Sequence, residues 1–207
     1  MANACFWLAT SQSAEFHGLN VFLCHLLGRG RETSTLKPED IGVIDTNDNL
    51  HDYQLLCTTI QRDKEGALQE LNLCPDKTSI QRDPHFSLLH CLLVCGFHSS
   101  LFPKFFKEAC VIDRQKKNKA RVSAFWEQCF DGMKKEFISL KELMEDKKYT
   151  SYHVRKASNQ KLAETTSVSG IAQYFRTGSQ SRAVNTVFDY VVGTQTLTNQ
   201  AGKALGG

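Results

Sequence analysis

The sequence predicts an all-α fold of about six or seven helices, a single helical domain with a partly flexible C-terminal tail, and three stretches carry that expectation. First, Val122, Phe125, Trp126, Cys129, Phe130, Met133, Phe137, Leu140, Leu143 and Met144 recur at steps of three and four. That is the apolar face of one long amphipathic helix near 121–145. Second, Phe16, Leu19, Phe22, Leu23, Leu26 and Leu27 repeat the same period behind the capping candidates Thr10, Ser11 and Ser13, and the pattern stops at Gly28. Third, Asp83-Pro84 pairs an N-cap with a proline at the first helical position. It opens an almost wholly apolar helix, His85 to Cys95, that ends at Gly96. A helix with no polar face is expected at the centre of a fold.

The other elements follow in order. Lys37-Pro38-Glu39-Asp40 reads as a short helical turn. The cluster Asp45-Thr46-Asn47-Asp48-Asn49 reads as a turn that caps a further helix, with Tyr53, Leu56, Cys57, Ile60, Ala67, Leu68 and Leu71 on its face and Gly66 as its weak point. Ser99 and Ser100 restart a helix through Phe102, Phe105, Phe106, Ala109 and Cys110. Residues 1–146 form the expected helical core domain. Residues 147–168 are polar and without sustained period, a linker or surface excursion. Residues 169–207 form a C-terminal segment with short helical signals at 171–175 and 183–192, and the small polar stretch after Thr194 is expected to be mobile.

At 207 residues the chain fits one domain that buries roughly 70% of its unfolded surface without staples. A net charge of +3 leaves any attraction to nucleic acid or anionic surfaces to local patches. Eight cysteines are spread evenly, and Met1–Ala9 lacks the basic start and long apolar core of a signal sequence. Reduced thiols in the cytoplasm or nucleus are therefore expected. The longest apolar run, 86–97, is interrupted by His90 and falls short of the ~20 residues a bilayer span needs.

The candidate contact surface is the basic run Arg114, Lys116, Lys117, Lys119 and Arg121, extended by Lys104 and Lys107. Such a run contacts phosphates or a protein partner, and each neutralised phosphate adds salt dependence. The bland reading is a solvated helix face, because Glu136, Glu142, Glu145 and Asp146 interleave with further lysines. Phe125, Trp126 and Phe130 fall on the apolar stripe and are expected in the core, not as stacking platforms for bases. His85, His90, Cys91, Cys95 and His98 form the densest set of metal-ligand types. They lack the second pair that a structural zinc site needs, so no metal is expected. Phosphate-loop, dinucleotide, zincin and serine-hydrolase motifs are absent, and no cofactor is expected.

Two short resemblances complete the reading. Val168-Ser169-Gly170-Ile171-Ala172-Gln173-Tyr174-Phe175 resembles a sliding-clamp-binding peptide whose leading glutamine is replaced by Val168. The resemblance implies that Ile171, Tyr174 and Phe175 enter a partner's hydrophobic pocket. The ending Ala204-Leu205-Gly206-Gly207 resembles junctions cut by papain-like viral proteases. That resemblance implies a processed viral polyprotein product, or a self-releasing protease using Cys91 or Cys95 with His153, although both cysteines fall late in an apolar helix, where activation is disfavoured. The leading expectation is a non-enzymatic interaction protein, either a helical adaptor with a protein partner or a nucleic-acid-associated component, whose contacts run through the basic face and the C-terminal segment.

Overall fold

The computed structural model describes residues 10–45, 54–61, 68–110, 118–136, 149–165 and 201–206. Helix α1 (Ser11–Leu26) and the short α2 (Gly30–Ser34) precede strands β1 (Ile41–Asp45), β2 (Gln54–Gln61) and β3 (Leu68–Leu73). Helices α3 (Pro84–Cys95), α4 (Pro103–Cys110), α5 (Asn118–Glu136) and α6 (Ser151–Glu164) follow. A last helical stretch, α7, covers 201–206. Single 3-10 turns at Pro38–Asp40 and Ile80–Arg82 lead into β1 and α3. Helices account for 67% of the described residues, so the helical class stands, but a sheet makes the fold not purely all-α. No helix among the described residues is long and apolar enough to cross a membrane.

The sheet replaces an expected helix. β1, β2 and β3 form an antiparallel meander in which Ile41 faces Thr58 and Leu56 faces Leu73. Leu56, Cys57 and Ile60 fit a helical face by spacing, but Thr58, Thr59 and Ile60 are β-branched and favour the pleated strand. Thr58 and Ile60, two apart, are both fully buried, as are Leu71 and Leu73 on β3. The period here is two, not 3.6.

The central helix is α1, and not the apolar 85–95 helix. Thirteen of its sixteen residues are buried, Glu15, His17, Asn20 and His25 among them. In α3 only Pro84, Ser87 and Cys91 are buried, while Leu93 is 75% exposed and Phe97, just beyond it, 85%. Uniform hydrophobicity thus misplaces α3. Its caps are as expected: Asp83 accepts from the Phe86 amide at 2.7 Å, Pro84 is first in the helix, and Gly96 closes it at φ +82°.

α1 starts at a reciprocal cap. The Thr10 hydroxyl accepts from the Ser13 amide at 3.1 Å, and the Ser13 hydroxyl accepts from the Thr10 amide at 3.0 Å. It ends on Leu27, a residue before the expected Gly28, in the left-handed region at φ 50°. That conformation costs a non-glycine residue roughly 1–2 kcal/mol. Complete burial of the Leu27 side chain against Leu162, Ala201 and Leu205 is worth about 1.5–3 kcal/mol and outweighs it.

Aromatic rings bind α1 to α4 and α5. Phe16 lies 5.2 Å from Trp126 and 6.4 Å from Phe105, and Trp126 stacks on Phe130 at 5.2 Å. The Trp126 indole donates to Asn20 Oδ1 at 3.0 Å, and Asn20 Nδ2 donates to the Phe16 carbonyl at 2.6 Å. Glu15, also buried, accepts from the Lys104 amide at 2.7 Å and so caps α4. Burial pushes its carboxyl above the usual range, against the lowering effect of Lys104 and the Phe105 amide.

The stretch expected as a polar linker contains α6, which packs on α1 and α5. Residues 201–206 lie in the stretch expected to be mobile, yet Ala201 and Leu205 are buried, and Lys161 Nζ donates to the Leu205 carbonyl at 3.1 Å. At Gly206 a Cβ would fall 2.7 Å from the Pro75 carbonyl, which explains a glycine there. The expected helical signals at 171–175 and 183–192, with Ile171, Tyr174 and Phe175, lie outside the described residues.

Two outcomes follow. Asn20→Leu strands the buried indole N–H and should destabilise the protein by about 1–3 kcal/mol in urea unfolding, whereas adding Trp126→Phe in that background should cost less than Trp126→Phe alone, because both polar partners are then gone. Glu15 has a raised folded-state pKa, so the folded form holds its proton more tightly than the unfolded one. Its contribution is greatest below the ordinary glutamate pKa and is lost as pH rises through the raised value. The stability difference between the natural protein and Glu15→Gln should therefore shift against the natural protein across that window, and a flat difference would contradict the assignment.

Candidate functional site

Where α1 ends, the chain reads Gly28-Arg29-Gly30-Arg31, and this short run meets the second turn of α5 and the start of α6 around one cavity of about 220 Å³. Arg29, Arg31 and Arg155 line it, together with the hydroxyl residues Ser123, Ser151 and Tyr152. Each arginine is half-buried. Glu32, at the third position of α2, accepts from the Arg29 amide at 2.7 Å and from its guanidinium at 2.8 Å. This carboxylate is buried and orients Arg29 at the rim. Burial lowers the pKa of Arg155, Glu32 works against that, and the Arg29 charge adds to it. The charges of Arg29, Glu32 and Arg155 therefore act on one another within a partly desolvated space.

The backbone makes this convergence possible. At Gly30 a Cβ would fall 3.0 Å from Ser151 Oγ and 3.4 Å from Val122 Cγ1, so a glycine lets α2 approach both helices. Ser151 and Tyr152 are the first residues of α6, which places the positive end of that helix dipole at the same cavity. The lining residues bring arginines, hydroxyls and a helix start to a space whose wall is otherwise mostly apolar, a combination that places positive charge beside a partly desolvated surface.

The residues singled out from sequence have different places. Lys104 Nζ donates to Ser11 Oγ at 2.9 Å, so its side chain ties α4 to the start of α1. Lys107 is exposed on α4. Arg121 Nε lies 3.3 Å from Glu108 Oε2, an exposed pair of small energetic weight. Arg114, Lys116 and Lys117 lie outside the described residues, and Lys119 falls in the first turn of α5. The basic run therefore leads into the helix whose Val122 and Ser123 form one wall of the arginine cavity. Arg29, Arg31 and Arg155 were not among the sequence candidates. The alternation of glycine and arginine at 28–31 was the available signal, whereas Arg155 stood in a stretch read as linker.

The cysteine and histidine candidates hold other partners. Cys91 Sγ lies 3.9 Å from Cys95 Sγ and 3.3 Å from the Leu101 carbonyl, and Cys95 Sγ lies 3.4 Å from the Ser11 carbonyl. The hydrogen bond to Cys95 and burial push the Cys91 thiol far up, while the hydrogen bond from Cys91 pulls Cys95 down. His153 Nδ1 accepts from the Thr150 amide at 3.1 Å at the start of α6. His85 meets the Leu73 carbonyl at 2.8 Å and His98 the Cys95 carbonyl at 2.6 Å. Among the described residues, no three of His, Cys, Asp and Glu are grouped to hold a metal. A second cavity of about 210 Å³, bordered by Val21, Cys24, Val154 and Leu205, has chiefly apolar walls and lies against α7.

No family model, curated protein or solved structure matches this chain.

Thiol reactivity checks the geometry directly. Alkylation with iodoacetamide near neutral pH, followed by peptide mapping, should label exposed Cys110 and half-buried Cys95 well before Cys91 and Cys129. Labelling of Cys91 as fast as Cys95 would contradict the contacts described.

Proposed function

We propose that this protein is a non-enzymatic helical interaction protein that associates with nucleic acid through a basic face. The observation that carries the reading is the arginine cavity: three arginines from two separate parts of the chain border one concave space, and the basic run at 114–121 precedes, in sequence, the residues of α5 that form its wall. Phosphate contacts supply most of the affinity of such proteins, and arginine forks match phosphate oxygens better than a lysine point charge does. Supporting the non-enzymatic branch, the Cys91 and Cys95 thiols hold carbonyl oxygens and each other, while His153 caps α6. Trp126 and Phe130 are buried in the core, so neither serves as a platform for bases, and the reading rests on phosphate contacts.

The test is binding to short RNA and DNA across a salt series. Affinity should fall steeply with salt, by about 0.7–0.9 of a logarithmic unit per tenfold salt for each neutralised phosphate. A variant with Lys116, Lys117, Lys119 and Arg121 all changed to Gln should bind more weakly and show a flatter slope. Absence of binding at low salt would overturn the reading.

A further inference from the structure

We propose that the second cavity, between α1, α6, α7 and the turn before α3, binds a small uncharged apolar molecule of one or two rings. This goes beyond the nucleic-acid reading and does not depend on it. The wall is built from side chains that are themselves buried: His17, Asn20 and Val21 from α1, Ser158 from α6 and Leu205 from α7.

The polar residues along this wall commit their hydrogen-bonding groups to the protein. His17 Nε2 meets the Gln81 carbonyl at 2.7 Å, and His25 Nε2 meets the Arg82 carbonyl at 3.1 Å. Asn20 is held at both ends of its amide, by the Phe16 carbonyl and by the Trp126 indole. Ser158 Oγ donates to the Val154 carbonyl one turn back, at 3.1 Å. The two charged residues at the border, Arg82 and Lys161, are exposed; Arg82 pairs with Asp76, and Lys161 donates to the Leu205 carbonyl. What remains toward the space is chiefly carbon, so polar residue types build an apolar wall. Burial also pushes the Cys24 thiol up, which keeps it uncharged there.

Such walls hold water poorly, since a buried water needs ~2–4 polar partners. They reward an apolar occupant, through surface removed from water and through dispersion contacts on every side. Size narrows the class further. The cavity of about 210 Å³ exceeds the ~150 Å³ apolar cavity that accepts benzene, and it lies below the ~300 Å³ at which pockets enclose drug-sized ligands. One or two rings fit between those limits. A charged group would give up its hydration to carbon, so the choice falls on neutral molecules.

The experiment titrates toluene, naphthalene and benzoate into the natural full-length protein and follows its methyl NMR signals. A bound aromatic ring shifts neighbouring methyls by its ring current. Toluene or naphthalene should shift the methyls of Val21, Val154 and Leu205 saturably, while those of exposed Leu93 on α3 stay in place. Benzoate, the same ring with a carboxylate, should bind about tenfold or more weakly. Val21→Phe on α1 and Val154→Phe on α6, each placing a ring in the space, should abolish the shifts, and one suffices where the other fails to fold. No saturable shift with either neutral ligand overturns the proposal. Shifts centred on Leu93 overturn it in favour of adsorption on the exposed face of α3, and shifts that persist in a folded Val21→Phe or Val154→Phe variant overturn it as well. Benzoate binding as tight as that of toluene overturns it in favour of an aromatic acid held by Arg82 and Lys161.

Discussion

A helix that is enclosed on nearly every side must satisfy its polar side chains inside the protein, and this constraint on α1 organises the rest of the structure. Each of its buried polar residues reaches a different neighbour. Glu15 caps α4, Asn20 holds the Trp126 indole of α5, His17 meets the Gln81 carbonyl at 2.7 Å, and His25 meets the Arg82 carbonyl at 3.1 Å. A buried polar group without a partner costs about 1–3 kcal/mol, so these contacts fix where the surrounding elements sit. Gly18 adds to the effect: a Cβ there would fall 3.1 Å from Phe102 and 3.6 Å from Cys91, and glycine lets α3 close on α1.

The arginine cavity is a by-product of how that helix ends. Leu27 turns left-handed because its side chain is drawn into the small cluster with Leu162, Ala201 and Leu205, and the next four residues are thereby turned toward α5 and α6. The approach at Gly30 then brings two arginines beside a third from α6. Core packing, backbone strain and charge placement are thus linked within five residues. The loop before α3 is held in a similar way by two carboxylates. Asp83 accepts from the Asp76 amide at 2.8 Å while it caps α3, and Asp76 accepts from the Thr78 and Ser79 amides and pairs with Arg82. Burial acts to raise the Asp76 pKa, but these donors outweigh it and leave it below the ordinary value.

Features with local causes were legible in the sequence. The Asp83-Pro84 start, the Gly96 stop, the Thr10 cap and the long amphipathic helix as far as Glu136 all follow from chemistry within a turn or two, while Phe137, Leu140, Leu143 and Met144 lie outside the described residues. What depends on distant partners was not. α1 showed a single apolar stripe because Glu15, His17, Asn20 and His25 interrupt its apolar pattern, and their partners lie 57 to 106 residues away in sequence. α3 looked central because it has no charged face, yet only Pro84, Ser87 and Cys91 of it are buried. Leu56 and Ile60 satisfied a period of 3.6 as well as the two-residue alternation of β2, and only the β-branched run Thr58-Thr59-Ile60 separated the alternatives. The candidate site was half visible. The basic run was evident as a charge density, whereas the cavity needed three segments far apart in sequence, at 28–31, 122–123 and 151–155, to meet.

On the proposed reading, that division between run and cavity has a physical meaning. Exposed charges such as Arg121, already partnered by Glu108, act over roughly a Debye length of ~8–10 Å and yield readily to salt. They raise the encounter rate with any polyanion and distinguish few of them. Half-buried Arg29, Arg31 and Arg155 carry charge that salt screens much less, in a shape set by α2, α5 and α6. Long-range attraction and salt-resistant charge therefore fall to different residues. The first depends on charge that many sequences can supply, while the second depends on the turn at Leu27, the glycine at position 30 and the burial that holds both in place.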